Sequence, residues 1–134
     1  MANEAVIIEL MGQPKGVPVR FTVADGAGIE KGTLCKVTDP RTAAATSADN
    51  DAFCGIASTE KVASYGSTSL GLWTCGIFDI KASAAVTVGE KVSVSGANTV
   101  TKVASADLLF ADVGIALESA STNEVIAVAC GIYS

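Results

Sequence analysis

The sequence predicts an all-β fold, a small single-domain barrel with an extended N-terminal arm. Three observations predict it. Gly76 to Gly96 reads as strand, small polar loop, strand: Ile77, Asp79 and Lys81 alternate with Phe78 and Ile80, and Val92 and Val94 alternate with Lys91, Ser93 and Ser95. Roughly eight to ten such runs recur along the chain at the spacing of an all-β barrel or sandwich. Helical periodicity is nearly missing throughout.

The elements follow in order. Val6 to Leu10 is a short apolar strand or arm, ended by the Pro and Gly of Gln13 to Gly16. Residues 1–15 are therefore expected to form the arm and 16–134 the barrel. Val17 to Val23 alternates, with Pro18 marking an edge or a strand start. Asp25 to Gly28 is a loop and Gly32 to Thr38 a strand. The small polar stretch from Asp39 to Asp51 reads as a surface loop. Ala52 to Ser58 is a strand, and Glu60 to Ser64 has the length of one helical turn.

Ser69 to Ile80 carries the longest strand signal, with a bend at Gly76. A hairpin from Gly76 to Gly96 follows. Gly96 to Asn98 is a turn, and Thr99 to Val103 pairs back. Leu109 to Leu117 and Glu124 to Tyr133 close the chain as strands. Gly-Ile follows a Cys or Val at Cys54-Gly55-Ile56, Cys75-Gly76-Ile77, Val113-Gly114-Ile115 and Cys130-Gly131-Ile132. Glycine inside a strand marks a bulge, a bend or a close backbone approach, so these points predict a strongly curved barrel. The pattern alone is too short to establish a duplication.

Composition narrows the function. A chain of 134 residues is one domain, and 49% apolar residues, many of them Ala and Val, suit closely packed sheets. The formal net charge of −5, with basic residues scattered singly, argues against nucleic acid and against an anionic membrane surface. No run reaches the apolar length of a membrane helix. The first residues lack a basic leader region, which predicts synthesis in a cytoplasm.

Chemistry has few places to reside. Histidine is absent, which removes the Ser-His-Asp and Cys-His arrangements and the commonest metal ligand. No nucleophile elbow or phosphate-binding glycine loop is present. No catalytic residue, cofactor site or metal site is therefore expected. Cys35, Cys54, Cys75 and Cys130 lack C-x-x-C spacing, which argues against zinc. They read first as small buried hydrophobes and second as disulfide partners, with Cys130 the candidate for an intermolecular bond. Asp39, Asp49 and Asp51 lack calcium-loop spacing and read as a solvated acidic loop. Asp79 and Lys81 share one strand face as a polar exterior. Trp73, the sole tryptophan, reads as core or as an interface anchor. Val6, Ile7, Ile8, Leu10, Ile132 and Tyr133 are apolar terminal residues and join Trp73 as candidate interface positions.

The chain resembles the capsid cement or decoration proteins of tailed viruses. The residues that carry the resemblance are Gly32-Thr33-Leu34, Gly55-Ile56-Ala57, Gly76-Ile77-Phe78-Asp79-Ile80, Val88-Gly89-Glu90-Lys91-Val92 and Asp112-Val113-Gly114-Ile115-Ala116. Their order and spacing match from about residue 15 to about residue 129. The resemblance implies a β-barrel or β-tulip-like module, often a homotrimer, made in the host cytoplasm and carried on the virion. Its implied role is non-enzymatic: it would bind the outer surface of the major capsid protein lattice and clamp neighbouring subunits. An arm such as Ala2 to Leu10 would add a strand to a neighbour. The four cysteines and the tail Gly131 to Ser134 depart from the family pattern. Two alternatives share the composition: a self-assembling fibre, tube or surface-layer subunit, and a small-ligand-binding or hydrolytic trimeric barrel.

Overall fold

Alternating short apolar runs can satisfy their backbone groups only by pairing, and in this chain the pairing closes on itself twice. The computed structural model describes residues 4–9, 18–103 and 111–131. Strand β1 spans Val6–Glu9. A first closed barrel takes β2 (Val19–Thr22), β3 (Leu34–Asp39), β4 (Thr42–Ala45), β5 (Phe53–Ala57) and β6 (Ser69–Trp73), in the order β2-β4-β3-β5-β6. A second takes β7 (Gly76–Ala82), β8 (Lys91–Gly96), β9 (Thr99–Lys102), β10 (Asp112–Ala116) and β11 (Val125–Cys130), in the order β7-β11-β10-β8-β9, and β9 returns to β7. Closure removes sheet edges. The all-β barrel expectation therefore holds, with two rings where one was expected.

The two rings are copies of one topology. Thr22 of β2 pairs with Thr42 in parallel and with Ser69 in antiparallel register. Lys81 of β7 pairs with Thr99 in parallel and with Val125 in antiparallel register. The isolated bridge Ile29↔Lys61 recurs as Val86↔Ala120. The turn bond from Gly32 N–H to Ala57 O (2.9 Å) recurs from Gly89 N–H to Ala116 O (2.8 Å). Interior positions match one for one: Cys35 with Val92, Ala43 with Val100, Ala57 with Ala116, Leu70 with Ile126 and Leu72 with Val128 are all buried. Lys61 departs from its equivalent Ala120. It is buried, and its ammonium donates to the carbonyls of Asp25 (2.8 Å) and Ala27 (2.7 Å), which compensates its desolvation.

Two of the Gly-Ile sites mark this repeat. Gly55 and Gly114 lie at register shifts in β5 and β10, where the neighbouring strand comes close. A Cβ on Gly114 would strike the backbone of Ala129, and one on Gly55 would lie 2.8 Å from Leu72 Cβ. Only glycine permits the approach.

The barrels pack through one face. Leu34, Ile56 and Trp73 form a row across β3, β5 and β6 on the outside of the first barrel, because Leu34 pairs with Ile56 and Ile56 with Trp73. This row, with Phe53, belongs to the same apolar cluster as Phe78, Ile80 and Val94 of the second barrel. Asn98, at the turn between β8 and β9, accepts the Leu34 N–H at 2.9 Å. Thr46 Oγ1 donates to Gly96 O (2.9 Å), and Asn50 N–H donates to Val94 O (3.0 Å). The first barrel's outer face thus belongs to the second barrel's core, while the first barrel's interior, with Val23, Ile29, Cys35 and Leu72, forms a cluster of its own.

Several local expectations are corrected. The segment from Asp39 to Asp51 contains β4, a strand built from Thr42 and three alanines. Gly76 to Gly96 is not a hairpin: β7 pairs with β1, β9 and β11, and β8 with β9 and β10. Ser69 to Ile80 breaks at Thr74–Cys75, and its halves belong to different barrels. Lys61 sits in a bridge, so Glu60 to Ser64 is not a helical turn. Eleven strands stand among the described residues, against the expected eight to ten.

Candidate functional site

The arm that carries β1 is expected from the sequence to add a strand to a neighbour. Its described residues instead pair with β7 of the same chain, Val6 opposite Asp79 and Ile7 opposite Phe78. Ala5 N–H donates to Gly32 O at 2.6 Å, tying the segment to the first barrel as well. Alternation sends Ala5 and Ile7 into the core and leaves Val6 and Ile8 at 60% and 53% exposure. Among the described residues β1 ends the six-stranded sheet, and its outer edge has no partner strand. On the outward face Val6 stands beside Asp79 and Ala127, and Val125, 59% exposed, beside Lys81. This is an apolar strip with one carboxylate and one ammonium, suited to covering by another protein.

A second exposed apolar surface lies on the first barrel, around Val19 and Val37. Sequence reasoning missed it. The alternation of Val17 to Val23 reveals a strand but not which end of a barrel is left open. Arg20 and Arg41, the chain's only arginines, flank it. The Arg41 guanidinium donates to Arg20 O at 2.7 Å and lies 6.0 Å from the Phe21 ring centroid.

The other expected positions disperse. Trp73 is half-buried against the core between the barrels. Leu10, Ile132 and Tyr133 fall outside the described residues. Cys35 is buried in the first barrel, with Cys54 half-buried against the same cluster; Cys130 is buried in the second. The four thiols are unbridged. Burial, reinforced by Cys54, pushes the Cys35 thiol up to about 12. Burial does the same for Cys54, and burial with Cys75 does so for Cys130, each to about 12. Such thiols are weak nucleophiles and poor metal ligands.

The carboxylates do structural work. Asp51 accepts the backbone N–H groups of Ser47 (2.8 Å) and Ala48 (2.9 Å) and lies 3.4 Å from the Lys36 ammonium. Burial pulls its pKa up, but those three partners together hold it below the usual carboxylate range. Glu90 and Glu124 close equivalent turns on Thr87 N–H and Ser121 N–H. Among the described residues, no three His, Cys, Asp or Glu side chains are grouped to hold a metal ion. A groove of about 380 Å³ lies between Glu4–Ile7 and Lys31, Gly32 and Ala57. Its lining is backbone and apolar side chains, with Glu4 and Lys31 the charged residues.

Comparison with known proteins bears on both family and fold. The sequence profile of a family described as phage cement protein matches residues 13–132. A solved structure, the N base of the head fiber gp8.5 in bacteriophage phi29, superposes with a TM-score of 0.57 at 16% identity. The match covers 84% of this chain and 93% of that one, and at this identity the likeness concerns the fold. No curated protein sequence matches the chain.

Proposed function

This chain belongs to the phage cement protein family, and from that premise we propose that it binds the outer surface of an assembled head and clamps neighbouring copies of the major capsid protein. The family match carries this reading. The fold is compatible with it: two closed rings leave no long edge to aggregate, and apolar contact surfaces remain on the outside. The phi29 structure, by its description the base of a head fiber, supports attachment to a head as a task for this architecture. The protein is non-enzymatic on this reading, takes no cofactor, and engages neither nucleic acid nor membrane. It is made in the host cytoplasm and ends on the capsid surface, as a homotrimer or another homo-oligomer.

The outward strip of β1 is the first contact. Repetition over a symmetric lattice converts modest single contacts into tight decoration. The test is to add the purified chain to heads assembled without it. Bound copies are counted by gel densitometry, and head survival is followed on heating. Saturable binding with a raised melting temperature of the heads is expected. Heads that bind none, or that bind without gaining stability, would sink the reading.

A further inference from the structure

The repeat provides an internal precedent for how this barrel is capped. In the second barrel Phe78 and Val94 are fully buried, in one apolar cluster with Leu34, Ile56, Phe53 and Trp73 of the first barrel. The β8–β9 turn fastens that contact through Asn98 and Gly96. The equivalents of Phe78 and Val94 in the first barrel are Val19 and Val37, and they are 38% and 41% exposed. Among the described residues the same socket therefore exists twice, filled once and open once.

We propose that the open socket at Val19 and Val37 docks an apolar β-sheet face of a capsid-lattice protein that carries acidic side chains at its border. This rests on the head-binding reading above and supplies a second contact, which a clamp between two subunits requires. The filled socket defines the occupant as the outer face of a sheet bearing large apolar side chains. The border follows from charge: Arg20 and Arg41 are exposed beside the socket of an otherwise acidic chain. Arginine at the margin of an apolar patch is a common interface anchor. A second copy of this chain does not supply the plug. Its first-barrel face is already spent internally. Its second-barrel equivalent carries Lys91 for Leu34, Asp112 for Phe53 and Ala129 for Trp73, with Lys91 and Asp112 ion-paired at 3.1 Å.

The test compares wild type, Val37→Glu and Arg20→Glu for binding to heads of the parent virus assembled without this protein. Melting temperature and molar mass are measured on each. The expected result is a roughly tenfold or greater loss of bound copies for both variants at unchanged mass, with Arg20→Glu melting as wild type does. If Val37→Glu proves unstable, Arg20→Glu carries the test. Wild-type binding with equal binding by Arg20→Glu would overturn this surface alone. A wild-type oligomer that dissociates in the variants would overturn it in favour of a second copy. Early melting of Val37→Glu with full binding by Arg20→Glu would overturn it in favour of cover by the chain's own residues. Failure of wild type to bind would remove the function and this surface together.

Discussion

Asn98 and Arg41 occupy the same place in two copies of one hairpin and direct their side chains oppositely. Both adopt a left-handed backbone, with φ of 56° and 48°. Asn98 reaches across to the other barrel and accepts the buried Leu34 N–H, whereas Arg41 turns back onto Arg20 O of its own barrel. The hairpin is shared; the contact between barrels belongs to one copy.

Asn98→Gly keeps the backbone conformation and removes the acceptor, leaving a buried N–H without its partner. It is expected to cost about 1–3 kcal/mol in denaturant unfolding. Asn98→Ala adds the left-handed penalty and should cost about 1 kcal/mol more. Equal stability of both variants and wild type would remove Asn98 as the tie between barrels.

Gly114 and Gly89 separate space from backbone freedom. A side chain on Gly114 meets the Ala129 backbone, while Gly89, at φ +92°, has nothing within 4 Å of the added atom. Gly114→Ala should lose about 3 kcal/mol or fail to accumulate as folded protein. Gly89→Ala should lose about 1 kcal/mol. Thermal melts of the two variants check the order.

The thiols should be silent in the folded state. With pKa values near 12, Cys35, Cys54 and Cys130 hold only about one part in ten thousand as thiolate at pH 8. Maleimide labelling followed by peptide mass spectrometry should leave all three unmodified until denaturant is added. Rapid native labelling at Cys35 would contradict its burial. We propose that the four remain core thiols; a mass lower by two hydrogens per bridge in non-reduced protein would assign them to disulfides instead.

Asp51 makes acid stability legible. Its folded pKa lies below the unfolded value of about 4, so its contribution is complete above that pH and is lost as pH falls through the folded pKa. Asp51→Ala should be less stable than wild type at pH 7. The gap between the two should close below about pH 4. A gap that persists at low pH would assign Asp51 a role other than its charge.

Much of this architecture was legible, and the failures have physical causes. The strands around Val92, Val128 and Ile80 declared themselves because alternation onto a buried face leaves a period of two. β4 was hidden because Thr42 and three alanines lack the branched and aromatic side chains that mark strands, although a tight barrel has room for little else there. The duplication was hidden because an interior slot constrains size and polarity, not identity: Cys35 and Val92 fill it equally well, as do Leu72 and Val128. Glycine was the exception, since nothing replaces it at Gly55 and Gly114. The arm was legible as apolar and extended, but a strand does not announce its partner, and β7 of the same chain took it. The open socket was invisible, because exposure at Val19 and Val37 is a property of what fails to cover them.

The ion pair of Lys91 and Asp112 stands where the first barrel carries Leu34 and Phe53. A barrel whose outer plate fits the socket of the next is a unit that would otherwise grow without limit, each addition presenting a fresh plate. In the second copy two charges and an alanine stand where the first copy's apolar plate lies. We propose that restoring the plate, with Lys91→Leu, Asp112→Phe and Ala129→Trp, would give a unit able to grow into a filament, three side chains away from the present one.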